Sequence, residues 1–165
     1  MRETLKRLLF VGLVVVAACG GGDDDGNPVG PGGNNNAAGK GTLTALIDGV
    51  SYAGTINAAS LTNGVLNIAS NTTDLTRAIA FAARINAPGS VTVASSDLSM
   101  TVQTTNGTAV TGVWTAAGTL GSGAVTVTSI SAAGASGTFS FNAPAFGQGA
   151  TGTKVVTNGV FTATF

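Results

Sequence analysis

The sequence predicts an all-β fold, an antiparallel β-sandwich of about ten strands that follows a signal peptide and a flexible linker. Three observations predict it. From Thr42 onward, short runs alternate apolar and polar residues with the period of two expected of half-buried strands. The dipeptides Asp48-Gly49, Asn63-Gly64, Asn106-Gly107 and Asn158-Gly159 punctuate those runs as hairpin signals. The composition is rich in Thr, Ser, Asn, Gly, Ala and Val, with 8% charged residues. That is a β-forming mixture, not a disordered one.

The chain divides into three parts. Residues 1–18 carry Arg2, Lys6 and Arg7 ahead of an unbroken apolar run of 11 residues, Leu8–Ala18. A helix needs roughly 20 residues to span a bilayer, so the run fits the core of an export signal. It ends in Val16-Ala17-Ala18-Cys19, which resembles the lipobox of bacterial lipoproteins, with Val16 standing where Leu is commonest. The resemblance implies that Cys19, the single cysteine of the 165 residues, is lipidated and becomes the first residue of the mature protein. Gly20, not Asp, follows it, which under the same resemblance points to the outer membrane more than the inner. Residues 19–41 then read as the lipidated Cys and a Gly/Asp/Asn-rich tether; its 22 residues from Gly20 to Gly41 would span about 25 Å as a flexible coil. Residues 42–165 form the predicted domain.

Within that domain, Leu43, Ala45 and Ile47 share one face of a first strand, and Tyr52 follows on the return strand. Thr76–Ile85, TRAIAFAARI, could be helical with Ala78, Phe81, Ala82 and Ile85 on one face. A strand places Ile79, Phe81, Ala83 and Ile85 together, a better apolar set, and Pro88-Gly89 then ends it. Val125 and Val127 alternate, but Ile130 falls out of phase, which indicates a bulge or a strand buried on both faces. Phe139 and Phe141 alternate in turn. The last run puts Phe161, Ala163 and Phe165 on one side and Thr162 and Thr164 on the other.

Ala45–Tyr52, Gly137–Phe141 and Thr157–Phe161 carry a further resemblance. With LTALIDGVSYAG, NGVLNIAS and RAIAFAARI, they are similar to an uncharacterised β-rich domain of bacterial lipoproteins, a domain of unknown function. Tyr52 stands where that family most often has Trp. The resemblance covers roughly residues 42–165 and implies a fold and an envelope address, with no ligand or activity attached.

Several chemistries are excluded or disfavoured by residue content. The chain has no His, so His-based triads and His-ligated zinc are ruled out. Beyond Cys19 there is no Glu, and the acids of the domain are Asp48, Asp74 and Asp97, each read as a turn former. Asp23–Asp25 lack the spacing and the closing Glu of a calcium loop. Gly147–Lys154, GQGATGTK, satisfies a loose glycine motif, but Thr153-Lys154 reverses the phosphate-loop order and a hairpin, not a helix, is expected after it. Beyond the signal, Lys40, Arg77, Arg84 and Lys154 face six aspartates, so no basic patch exists for nucleic acid. The expectation is a non-enzymatic chain without cofactor, metal, nucleotide or nucleic acid.

Trp114 and Tyr52 remain as possible ligand contacts, because both are amphipathic aromatics; the six Phe beyond the signal read as core. The functional expectation is therefore a membrane-anchored envelope lipoprotein displaying a β domain in a structural or adhesive role. Its partners would be the membrane, through lipid on Cys19, and an envelope polysaccharide or protein. The alternative is a carbohydrate-binding module centred on Trp114, and exposure or burial of Trp114 and Tyr52 distinguishes the two.

Overall fold

The computed structural model describes residues 40–147 and 149–165; the expected signal peptide, Cys19 and the expected tether through residue 39 lie outside them. Ten strands follow in chain order: β1 (Lys40–Ile47), β2 (Val50–Thr62), β3 (Val65–Thr72), β4 (Arg77–Arg84), β5 (Gly89–Thr92), β6 (Leu98–Asn106), β7 (Ala109–Ala117), β8 (Ser122–Ser131), β9 (Gly134–Gly147) and β10 (Thr153–Thr164). A 3-10 turn at Val93–Ser95 separates β5 from β6. Every strand pair is antiparallel.

The ten strands belong to one sheet, in the order β10-β1-β2-β3-β4-β6-β7-β9-β8-β5, and β9 pairs with β10 as well. The ladder therefore returns to its start, and eight strands form a closed ring. β7 and β8 lie on the same edge of β9 in succession, Val113 and Trp114 opposite Gly147 and Ala145, then Ser122–Ser131 opposite Asn142–Gly134. Since both run antiparallel to β9, they act as one interrupted strand. β5 and β6, which pair with β8 and β7, form a second such strand, broken by the 3-10 turn that packs against β6, β7 and β8.

Alternation explains why the ring closes around an apolar interior. Leu43, Ala45 and Ile47 on β1, Ile79, Phe81 and Ala83 on β4, and Phe139, Phe141 and Ala143 on β9 are buried, while their intervening neighbours face outward. Phe81 and Phe161 meet edge to face with ring centroids 5.2 Å apart, and Phe81 lies 5.8 Å from Phe139. β4 and β10 stand four places apart in the ring of eight, so these rings touch across the interior. The facing-layer contact expected of a sandwich is made here by opposite walls of a single closed sheet.

Several local expectations can be placed on this frame. TRAIAFAARI is a strand, β4. Asp48-Gly49, Asn63-Gly64 and Asn106-Gly107 lie at hairpin turns, with Asp48 and Asn63 in the left-handed region. Ile130 follows a register shift between Val127 and Ser129, which is the bulge that its phase indicated. Asn158-Gly159 differs: it sits inside β10 as a bulge, with Asn158 at φ 52, and the strand continues through it. Turns and bulges both use a left-handed residue, so the dipeptide alone does not separate them. Gly159 is needed there because a Cβ would lie 2.5 Å from the Phe139 carbonyl oxygen and 2.6 Å from its ring. β1 also starts at Lys40, before the expected domain boundary, and Gly41 is its second residue because a Cβ would fall 2.0 Å from the Thr162 carbonyl oxygen. Of the six Phe, Phe81, Phe139, Phe141 and Phe161 are core, Phe165 is partly buried, and Phe146 is exposed.

Deleting residues 159–165 removes Phe161 and Ala163 from the interior and opens the ring along β1. Loss of one buried Phe side chain costs about 3–5 kcal/mol, against a typical domain stability of about 5–15 kcal/mol. The truncated chain is expected to lose its cooperative thermal transition, measured by circular dichroism. Deleting residues 20–39 is expected to preserve it.

Candidate functional site

The antiparallel alternation places the β1–β2, β3–β4, β6–β7 and β9–β10 connections at one end of the ring, and Lys40 and Phe165 at the other. Both aromatic candidates project inward in the half nearer the hairpin end. They do not form a shared platform. β2 and β7 are four places apart in the ring, so Tyr52 and Trp114 stand on opposite walls.

Tyr52 is wholly buried, at 0% exposure. Its hydroxyl donates to the Ser70 carbonyl at 2.9 Å and pairs with Ser70 Oγ at 2.7 Å, so both polar atoms of the pair are satisfied inside the wall. Burial pushes the phenol pKa up, with the Ser70 hydrogen bond opposing it. The Arg77 guanidinium lies 5.8 Å from the ring centroid and covers it from the hairpin end.

Trp114 is 8% exposed and packs beside Val102 on the inner face. Its indole N–H donates to the Thr151 carbonyl at 3.0 Å, and Lys154 Nζ lies 5.1 Å from the ring centroid. Lys154 also donates to Asp48 Oδ2 at 2.7 Å, while the Val155 backbone N–H donates to Asp48 Oδ1 at 2.9 Å. Thr151 and Lys154 both belong to GQGATGTK. The Gly-rich stretch is thus the β9–β10 connection, and its contacts cap Trp114 and tie it to the β1–β2 turn. Sequence reasoning singled out Lys154 for its motif; the cation–π contact and the ion pair depend on strand order, which no local pattern carries.

The three aspartates are held by their own surroundings. The hydrogen bond from Lys154 and the Val155 N–H keep the Asp48 carboxyl below its ordinary range. Asp74 Oδ1 accepts from Thr72 Oγ1 at 2.5 Å and from the Thr76 N–H and Oγ1 at 3.1 and 2.9 Å, which lowers its pKa to about 2. Asp97 pairs with Arg84 at 3.5 Å, near the opposite end of β4. These are turn and end contacts, with no second carboxylate in any of them. Among the described residues no group of three or more His, Cys, Asp or Glu could hold a metal ion. Cys19 lies outside the described residues.

The outer walls hold a feature that side-chain type did not signal. A groove of about 490 Å³ runs over β8, β9 and β10 beside the Asn158-Gly159 bulge. Thr126, Thr138, Ser140, Asn158 and Val160 line it from the outward face, and Phe139 and Gly159, whose side-chain positions face the interior, border it.

Residues 39–164 match the model of a family described as a domain of unknown function, DUF6252, and the chain belongs to that family. No curated protein and no solved structure matches it.

The Asp74 contacts generate a pH dependence. Its carboxyl is held at about 2 in the folded chain against an ordinary 3.8, so the unfolded chain takes up its proton first on acidification. The stabilisation is complete above about pH 4 and is lost progressively as pH falls towards 2. Melting temperature measured across that window is expected to fall less steeply in Asp74→Asn than in the parent chain.

Proposed function

We propose that this chain is a membrane-anchored, non-enzymatic lipoprotein of the cell envelope, displaying its closed β domain in a structural or adhesive role. The observation that carries the reading is Cys19, the single cysteine, placed directly after an apolar run and Val16-Ala17-Ala18. A diacylated thiol supports stable attachment, because each buried CH₂ contributes about 0.8 kcal/mol and one short chain alone binds only marginally. The Gly/Asp/Asn-rich residues before Lys40 would separate the domain from the head groups. Gly20 after the cysteine favours the outer membrane over the inner in this reading.

A display role is supported by how the side chains are committed. Tyr52, Trp114, Asp48, Asp74 and Lys154, the groups with the richest chemistry, all take part in holding turns and walls together. An aromatic sugar platform at Trp114 has no support from its geometry, since the indole is buried and covered by Lys154.

The test is metabolic labelling of the full precursor with a palmitate analogue. The parent chain should be labelled and processed, and Cys19→Ser should be neither. Undiminished labelling of Cys19→Ser contradicts the anchoring proposal.

A further inference from the structure

The groove over β8, β9 and β10 is built by identifiable features of the chain. In β10 three steps, Val156 to Gly159, oppose two in β9, Phe141 to Phe139. That extra residue is Asn158, and bulges of this kind re-aim a side chain while increasing local twist. Gly159 faces the interior, where its missing side chain makes room for the buried Phe139 ring, so both residues border the groove without adding a side chain to it. The cross-strand row Thr126–Thr138–Val160 and the neighbouring pair Ala124–Ser140 make up the walls.

Its chemistry is specific in what it offers. Among the described residues, no side-chain hydrogen bond occupies Thr138, Ser140 or Asn158; Thr126 Oγ1 donates to Ser90 Oγ at 3.1 Å. Two free hydroxyls and one free amide therefore present both donors and acceptors to the groove. Val160, 48% exposed, adds an apolar surface between them. No lining residue is charged. The seven charged residues of the described chain, Lys40, Asp48, Asp74, Arg77, Arg84, Asp97 and Lys154, all stand in connections or within one place of a strand end. This wall is therefore electrically neutral as well as hydroxyl-rich, and the volume falls in the range of about 300–1,000 Å³ of small-ligand sites.

We propose that this groove binds a neutral oligosaccharide. A pyranose has hydroxyl edges that both donate and accept and C–H faces that are apolar, matching Thr138, Ser140 and Asn158 around the exposed Val160. An anionic polymer would meet no cation here, and a wholly apolar ligand would strand the hydroxyls and the amide. The inference deepens the adhesive half of the proposed function and rests on that reading for display of the domain at the envelope. Binding itself requires no lipid.

The experiment titrates the full chain in detergent micelles with maltohexaose, cellohexaose and chitohexaose, reading backbone amide shifts by NMR. Binding of at least one probe in the millimolar range is expected, with shifts confined to Ala124–Thr126, Thr138–Ser140 and Asn158–Val160. Ser140→Arg, which fills the groove, and Asn158→Gly, which keeps the bulge conformation but removes the amide, should each weaken binding about tenfold with an unchanged melting temperature. Absence of shifts with all three probes, shifts located at the hairpin end around Trp114, or affinity unaltered in both variants overturns the proposal. None of those outcomes bears on Cys19 labelling, so failure here and failure of lipid anchoring are distinguishable.

Discussion

Everything in this fold depends on β9 having a partner on each edge along its length. One edge carries β10 from Gly134 to Pro144; the other carries β8 and then β7. That double occupation turns a meander of hairpins into a closed sheet. Without it, β7, β9 and β10 would present unpaired backbone groups, the condition that favours edge-to-edge association. The closure also brings the first and last strands together, because β10 pairs with β1 along Lys40–Ile47. Residues far apart in the chain thereby become neighbours, as Lys154 and Asp48 show at 2.7 Å.

Closure in turn divides the chemistry of the chain into inside and outside. The interior mixes aromatic rings with small residues, including Ala45, Ala83, Ala116, Ala135, Ala143 and Ala163. That mixture lets opposite walls approach until Phe81 and Phe161 touch, at the close packing expected of a protein interior. The outer face is largely Thr, Ser and Asn, with charges restricted to the ends. Polar surface on the outside and apolar surface within is the reverse of a barrel that faces lipid. Tyr52 and Trp114 fall on the inner side of that division, and each spends its polar atom on a carbonyl of the wall or rim.

Much of this was legible in the sequence because it is local. The period-two pattern marked Leu43, Ala45 and Ile47, Ile79, Phe81 and Ala83, and Phe139 and Phe141 as inward, and three of the four turn dipeptides join hairpins. What was not legible depends on pairing between distant strands. Asn158-Gly159 reads as a turn until β1 and β9 are seen to continue on both sides of it. Gly41 reads as linker until the Thr162 carbonyl is found beside it. The apolar size of Phe146 suggests core, yet its position beyond the last buried register of β9 leaves it exposed. The groove is the extreme case, since Thr138, Ser140 and Asn158 are individually ordinary outward residues and acquire meaning from concavity alone.

The central claim is that the sheet is closed, and native-state hydrogen exchange of backbone amides tests it most directly. In a closed ring, amides of β1, β9 and β10 that donate to the ladder can exchange only when the whole sheet opens. Their exchange free energies should therefore match those of β3 and β4 and track global stability. An open sheet would fray from its ends. Markedly weaker protection of the inter-strand amides of β9 and β10 than of β3 and β4 would contradict closure through β9.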